Sequence, residues 1–193
     1  MTVDFGPATT QLQKVVASIG DDQLDAATPC EGLTVRDLLE HVRGFCGAFT
    51  AVGRKDIENI PGGAPPDGSK LPPNWREVIT KKSEELAGAW NDPASWSGTT
   101  KVAGNDMPAE MAGAIALDEV VLHAWDLAVA TGQPYNPPDD AVSTIEPLVQ
   151  NLSNPKGTPG LFGPRVDVPD SAPRFHQVLG LAGRDPNWSS GAR

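Results

Sequence analysis

Glu119 and His123 are four positions apart in the segment D-E-V-V-L-H-A-W-D-L-A, whose other residues are mostly apolar. In an α-helix this spacing places the carboxylate and the imidazole on one face, with Cβ atoms roughly 5–6 Å apart. A helix that is apolar almost all round is normally buried, and a buried carboxylate needs a charged partner or a metal ion. His41, one of only 3 histidines, lies in a second segment of helical pattern. The two imidazoles and the carboxylate together predict a metal site.

The predicted ligands are His41, Glu119 and His123, a set that suits first-row divalent ions. Zinc hydrolases use two histidines and a glutamate with water in the fourth position, and non-haem iron enzymes use two histidines and one carboxylate. Three protein ligands leave coordination positions open, which favours catalysis over a closed structural site. Zinc is the first expectation, and nickel, iron and manganese are alternatives.

A simpler interpretation stays open for each of these residues. A glutamate and a histidine four positions apart also form ordinary hydrogen-bonded helix pairs, and a single histidine at the edge of an apolar stripe is usually structural. Asp126 lies one turn beyond His123 and has three possible roles. It orients a ligating imidazole from behind, replaces Glu119 as a ligand, or forms a salt bridge with an arginine of another helix.

Three further residues of chemical interest receive no role from the sequence. Cys46 lies in the apolar stripe of a helix and is expected to be buried. Cys30 lies in a Pro-Cys-Glu-Gly turn, where the sequence places no base or cation beside it. His176 lies near the end of the chain and is left outside the predicted site. A serine triad and a phosphate-binding glycine loop are both unsupported.

The composition predicts one globular domain, residues 1–193, with ordinary contents of apolar (39%) and charged (21%) residues. A formal net charge of −10 disfavours nucleic acid and anionic membrane surfaces as partners. The sequence contains neither an apolar run of the ~20 residues needed to span a bilayer nor a recognisable secretory signal, so a cytoplasmic location is expected. The oligomeric state stays open, a homodimer included.

Apolar periodicity and capping residues predict a mainly helical chain. The predicted helices cover about 6–19, the segment that begins after Thr34, 74–90 with Asn74 as a possible cap, Pro108 to about Thr131, 139–152 and 172–182. Residues 53–73 are rich in glycine and proline, which predicts a long loop and a candidate lid. Strand signals are weak. The predicted fold class is all-α, a four-helix bundle over about 4–132 with a short irregular and helical C-terminal appendage over 133–193.

Two long motifs carry a family resemblance. T-P-C-E-G-L-T-V-R-D-L-L-E-H is followed some eighty residues later by E-V-V-L-H-A-W-D-L-A-V-A-T-G, and the chain closes with L-F-G-P and L-G-L-A-G-R-D-P. Together they resemble the uncharacterised metal-binding proteins of the DinB-like and mycothiol-dependent maleylpyruvate isomerase superfamily. Leu33 stands where the family motif usually has tryptophan. No separate C-terminal domain like that of the characterised isomerase is identified after Gly132.

The resemblance implies a four-helix bundle with a divalent metal at its centre. It also implies that the ligands are a histidine of the second helix and a Glu-x-x-x-His pair of a later helix, which correspond to His41, Glu119 and His123. Superfamily enzymes use a low-molecular-weight thiol such as mycothiol, which a metal ion activates as the thiolate. The residues that would bind this thiol cannot be located from the sequence.

Three functions are therefore weighed. The first is a metal-dependent enzyme, a mycothiol-type transferase or isomerase that acts on a small molecule. The second is a non-catalytic metal-binding module with a closed coordination sphere, in which Asp126 is the fourth ligand. The third is a helical interaction protein whose polar core pair is structural. The first two are nearly equal on sequence grounds.

Overall fold

The structure, a computed structural model, describes residues 2–56, 58 and 65–190. Within these ranges the chain forms six α-helices and one small antiparallel sheet of two strands. The elements are α1 (Gly6–Ser18), α2 (Val35–Gly53), α3 (Trp75–Trp90), β1 (Thr99–Val102), β2 (Asn105–Pro108), α4 (Ala109–Ala130), α5 (Asp139–Leu152) and α6 (Arg174–Leu181). Short 3₁₀ turns lie at Asp21–Gln23, Gly68–Lys70 and Pro93–Trp96. The predominantly helical fold predicted from periodicity is confirmed.

Of the two residues that precede predicted helices, Thr34 caps its helix and Asn74 does not. At the start of α2, Thr34 Oγ1 accepts a hydrogen bond from the Asp37 backbone N–H (3.2 Å), and the Asp37 carboxylate accepts one from the Thr34 N–H (2.9 Å). This reciprocal pair satisfies two donors that a helix start otherwise leaves free. Asn74 precedes α3 as predicted, but its side chain makes no capping hydrogen bond.

The helix α4 lies among several others, which explains why its sequence is apolar on nearly every side. Both α1 and α2 pack against α3 and against α4, and α4 also packs against α5, which in turn contacts α6. Contacts from several directions leave little of α4 to solvent, so most of its residues are buried. A polar side chain on α4 therefore needs a specific partner.

The small sheet is the feature that periodicity did not predict. β1 and β2 pair in antiparallel register, from Thr99 opposite Pro108 to Val102 opposite Asn105. The two turn residues, Ala103 and Gly104, have φ values of 49° and 81°. Positive φ at both central positions is typical of tight hairpin turns, where Asn-Gly or Asp-Gly is the usual signal. An Ala-Gly turn between strands of four residues carries a weaker signal, so only short extended character was expected there.

The predicted loop at 53–73 is described only in part, because residues 57 and 59–64 lie outside the described residues. Near its end, the Gly68 N–H donates to the Asp37 carboxylate (2.9 Å), which ties this part of the loop to the first turn of α2. Among the described helices, none combines the length and apolar composition that a bilayer-spanning segment requires.

We predict that Gly113→Ala destabilises the protein by about 1–3 kcal/mol, because a core overpacked by one methyl group must shift its neighbours. Gly113 lies on α4, and a Cβ atom there would be 2.7 Å from the Trp96 ring and 2.8 Å from the Trp90 ring. Urea unfolding measures the change. The matched control is Gly88→Ala, an exposed site on α3 with open space around the new methyl group, where alanine should stabilise by about 0.5–1 kcal/mol. Equal effects at both sites would contradict the packing of α4 against these tryptophans.

Candidate metal centre

The three predicted ligands come together between α2 and α4. One carboxylate oxygen, Glu119 Oε2, lies 3.1 Å from His41 Nε2 and 3.1 Å from His123 Nε2. The two imidazole rings are nearly perpendicular, with centroids 4.9 Å apart. One potential ligand atom from each of the three residues falls within 4.8 Å of the others. Sequence spacing had required Glu119 and His123 to be neighbours, and the packing of α2 on α4 adds His41.

Exposure of these side chains decreases from one side of the cluster to the other. The side chain of His41 is 32% exposed, that of Glu119 22% and that of His123 13%, whereas Asp126 is fully buried. Phe45 packs against both histidine rings, with centroids 5.6 Å from His41 and 6.1 Å from His123. The cluster therefore has a partly open side at His41 and a closed side at Asp126. Glu119 is less buried than the apolar surroundings of its sequence suggested.

Asp126 holds His123 from the closed side. Its Oδ2 lies 2.9 Å from His123 Nδ1. Arg184 binds the same carboxylate with two nitrogens, Nε at 2.9 Å from Oδ1 and Nη2 at 2.8 Å from Oδ2. Asp126 therefore contacts the imidazole of His123 and also forms the salt bridge with an arginine that the sequence left open. The arginine belongs to the segment just after α6 rather than to a helix.

A helix-ending motif places Arg184 beside Asp126. The Gly183 N–H donates to Gly180 O (3.1 Å) and the Arg184 N–H donates to Leu179 O (2.8 Å), the hydrogen-bond pattern of a Schellman motif. Gly183 has φ of 76°, and a Cβ atom there would lie 2.5 Å from the carbonyl carbon of Gly163. Glycine is therefore needed at position 183 for both conformation and space. The close backbone contact fixes the point from which the arginine side chain enters the core.

The charges of the cluster determine one another. Burial lowers the pKa of His123, but the side chains of Asp126, Cys30 and Glu119 outweigh burial and raise this pKa well above its ordinary value. Burial raises the pKa of Glu119, yet hydrogen bonds from His123 and His41 hold it far below its usual range. The pKa of Asp126 is likewise held low against burial, by the charge of Arg184 and the hydrogen bond from His123. Without a metal ion, the two neighbouring carboxylates therefore favour the protonated form of His123.

The donor set fits a divalent cation. Asp126 is an ionised acceptor, so His123 Nδ1 must carry a proton and the remaining lone pair of the neutral ring lies on Nε2. In the neutral ring that lone pair faces the Glu119 carboxylate at 3.1 Å, so the pair needs either a proton on Nε2 or a bound cation between the two atoms. For metal–ligand bonds of 2.0–2.2 Å, neighbouring ligand atoms lie roughly 2.8–3.6 Å apart. The two distances of 3.1 Å fall within this range.

Cys30 and Arg184 are two residues of the cluster that sequence reasoning missed. Cys30 Sγ donates to Asp126 Oδ2 (3.1 Å) and lies 3.9 Å from Arg184 Nη2, so this cysteine does have charged neighbours. Spacing gave no sign of either contact, because the residues are 96 and 58 positions from Asp126. One usable signal was available: a fully buried aspartate requires a cation, and Arg184 directly follows a glycine that ends a predicted helix.

The other residues considered at the start lie elsewhere. Cys46 is fully buried in α2, as predicted, and burial raises the pKa of its thiol to about 12. Both cysteines are free thiols. His176 is half-buried on α6. Asp118, next to Glu119, is a buried acid that spacing did not single out; burial and the charge of Glu119 raise its pKa to about 7.

Comparison with known proteins identifies the class to which this fold and cluster belong. Residues 5–128 match the family described as the mycothiol maleylpyruvate isomerase N-terminal domain, so the chain belongs to that family. The matched segment includes the three predicted ligands and Asp126. It ends before α5, α6 and Arg184.

The relatives divide into uncharacterised proteins and a solved enzyme. Two uncharacterised proteins of Mycobacterium tuberculosis, from strains CDC 1551 / Oshkosh and ATCC 25618 / H37Rv, are each 30% identical over 173 residues, which is 88% of this chain and 90% of theirs. The crystal structure of the mycothiol-dependent maleylpyruvate isomerase superposes with a TM-score of 0.61 at 19% identity. A histidine-to-alanine mutant of that enzyme gives 0.58 at 17%. Both alignments cover 94% of this chain and 78% of the other and show a shared fold.

We predict that Arg184→Met destabilises the protein by about 3–5 kcal/mol, because it leaves the carboxylate of Asp126 buried without its cation. The expected loss appears as a lower midpoint of urea unfolding. Arg174→Met is the matched control: Arg174 pairs with Glu146 but its side chain is 53% exposed, and exposed pairs contribute less than about 1 kcal/mol. Similar losses of stability for both variants would contradict the conclusion that the buried Asp126–Arg184 pair contributes more to stability than an exposed pair does.

Proposed function

We propose that the protein is a divalent-metal-dependent enzyme that acts on a small molecule together with a low-molecular-weight thiol, as a mycothiol-type transferase or isomerase. The observation that carries the proposal is the placement of Glu119 Oε2 at 3.1 Å from both His41 Nε2 and His123 Nε2. In this proposal His41, Glu119 and His123 are the ligands, Asp126 orients His123, and zinc is the first candidate for the ion. Membership of the mycothiol maleylpyruvate isomerase family supports mycothiol as the thiol.

The proposal extends to the architecture. We regard α1 to α4 as a four-helix bundle of the DinB-like type within a single domain of residues 1–193, with the bundle over about 4–132 and the appendage over about 133–193. The packing of α1 and α2 against both α3 and α4 supports this assignment. The two free thiols are compatible with a reducing cytoplasm.

Within this proposal the side chains have distinct tasks. When bound, a divalent ion supplies a positive charge that stabilises negative charge on a neighbouring sulfur or oxygen atom. Asp126 holds the proton of His123 on Nδ1 and thereby keeps Nε2 directed towards Glu119. Arg184 neutralises Asp126 and fixes the plane of its carboxylate through two hydrogen bonds. Phe45 covers one side of the histidine rings and limits the access of water.

The same contacts favour an open site over a closed metal-binding module. A closed sphere would use Asp126 as the fourth protein ligand. Asp126 Oδ2 is instead occupied by His123 Nδ1, Arg184 and Cys30, and it lies at the other nitrogen of the same imidazole. A small molecule or thiol would approach from the side of His41, whose side chain is the most exposed of the three ligands.

We predict that the protein purified without chelating columns contains about one divalent ion per chain, and that His123→Ala and Glu119→Gln lose it. Removing a ligand should weaken binding by at least about 100-fold, since even residues that only orient a ligand contribute 10- to 100-fold. Elemental mass spectrometry of dialysed protein measures the content. The control is His176→Ala, which removes a histidine of α6 outside the cluster and should retain the ion.

The thiol is tested on the same samples. In cobalt-loaded protein, added mycothiol should produce a sulfur-to-cobalt charge-transfer absorption, and His176→Ala should preserve it. Stoichiometric metal without any response to thiols would favour the non-catalytic metal-binding module. Protein that contains no metal and takes up none from added divalent ions would contradict the enzyme proposal and leave Glu119 and His123 as a structural polar pair.

We further predict that the affinity for zinc rises about tenfold per pH unit from about pH 6.5 up to the raised pKa of His123. The pKa of His123 is raised in the metal-free protein. Protonated His123 therefore contributes its full stabilisation of the fold below about pH 6.5, and this contribution is lost only as the pH rises through the raised pKa. Zinc must displace this proton from Nε2. Titration calorimetry in two buffers of different ionisation enthalpy measures the release. A pH-independent affinity over this range would mean that no proton is displaced.

A further inference from the structure

The thiol of Cys30 contacts the carboxylate that holds His123. Sγ donates to Asp126 Oδ2 at 3.1 Å. The same oxygen accepts from His123 Nδ1 at 2.9 Å and from Arg184 Nη2 at 2.8 Å. One buried oxygen atom therefore receives donors from three parts of the chain: the turn before α2, the helix α4 and the segment after α6.

The turn that carries Cys30 is itself well fixed. Thr28 Oγ1 accepts from the Cys30 N–H at 3.2 Å, and the Cys30 carbonyl accepts from the Leu33 N–H at 3.0 Å. Gly32, the third residue of this turn, has φ of 80°, a conformation that favours glycine. Thr34, the cap of α2, follows immediately. The sulfur is thus held at a defined position relative to the start of the helix that carries His41.

The contact connects the two helices that provide the proposed ligands. His41 belongs to α2, whereas Glu119, His123 and Asp126 belong to α4. Metal ligands must be held within about 0.5 Å of the productive geometry by packing and supporting hydrogen bonds, so relative movement of the two helices must be small. A directional bond between the turn before α2 and Asp126 restricts this movement. It also limits rotation of the carboxylate that His123 depends on.

Rather than forming a second cation site, the sulfur acts as a donor. Cys30 Sγ, His123 Nδ1 and Asp126 Oδ2 lie within 4.8 Å of one another, a spacing compatible with three ligands. However, the guanidinium of Arg184 lies 2.8 Å from Oδ2 and 3.9 Å from Sγ. A cation bound by these three atoms would have to sit next to that positive charge, which disfavours it.

We propose that Cys30 is a positioning residue of the metal centre, whose thiol donates to Asp126 and so aligns His123 with the ligands on the facing helix. This inference rests on the proposed function, because it concerns the same centre. No covalent chemistry of the sulfur is involved. A hydroxyl group at position 30 should therefore replace the thiol, and an apolar side chain should not.

The first experiment measures zinc affinity by competition with a chromophoric chelator. Cys30→Ala and Cys30→Val should weaken binding about tenfold, the lower end of what orienting residues contribute. Cys30→Ser should stay within about threefold of the unaltered protein, because the hydroxyl restores a donor. Cys46→Ala is the matched control, since it removes a buried thiol on α2 that is not a donor to Asp126, and it should leave affinity within about twofold.

The second experiment uses metal-free protein, so that it does not depend on the proposed function. Nitrogen-15 NMR observes the Nδ1–H proton of His123, which should exchange slowly with water in the unaltered protein and in Cys30→Ser. In Cys30→Ala and Cys30→Val its exchange should be about tenfold faster, since the acceptor is held less tightly. Thermal unfolding of each variant confirms that the comparison is made on folded protein.

The outcomes separate this inference from the function. If zinc binds and His123→Ala abolishes binding while Cys30→Ala binds as tightly as the unaltered protein, the inference about Cys30 is wrong and the metal proposal stands. If Cys30→Val behaves like the unaltered protein in both experiments, the volume of the side chain at position 30, rather than its hydrogen bond to Asp126, positions His123. The inference is then again overturned. If no protein binds zinc, the proposed function fails, and the exchange of the His123 proton alone decides the role of Cys30.

Discussion

The buried carboxylate of Asp126 is the constraint on which the rest of the site depends. A fully buried anion is unstable in a protein interior unless it is paired and hydrogen-bonded. Asp126 meets this requirement with three donors: His123 lies one turn earlier on the same helix, whereas Cys30 and Arg184 are 96 and 58 positions away along the chain. Satisfying this one charge therefore brings the turn before α2 and the segment after α6 to the C-terminal half of α4. The orientation of the His123 ring is one consequence of this convergence.

The C-terminal appendage has a physical connection with the centre through Arg184. The family match ends at residue 128, yet the cation that neutralises Asp126 follows α6. It is delivered by a Schellman motif whose Gly183 lies against the backbone of Gly163. The residues that end α6 thus influence the orientation of the His123 imidazole on α4, because they position Arg184 against Asp126. The appendage and the helices around the site are coupled by an ion pair rather than by apolar packing alone.

Sequence reasoning succeeded where the signal was local. Periodicity and capping predicted the main helices, and a four-residue spacing made Glu119 and His123 neighbours. It failed where the information lies in tertiary contacts. The hairpin at β1 and β2 has strands too short for a periodic pattern, and its Ala-Gly turn is an uncommon one. Cys30 and Arg184 reach Asp126 only after the helices have packed, and no spacing along the chain encodes that.

The cluster has a closed side and a partly open side, and this difference determines where a ligand could bind. One nitrogen of His123 faces Asp126 on the closed side, and the other faces Glu119 on the partly open side. The buried charges on the closed side fix the tautomer of the ring and are themselves too fully engaged to bind a ligand. The open side presents one carboxylate oxygen and two imidazole nitrogens, with His41 nearest to solvent. The fixed charges thus lie on the closed side and the accessible ligand atoms on the open side. A site that binds an exchangeable ligand requires this arrangement, because its reactivity depends on preorganised groups that do not themselves take part in the exchange.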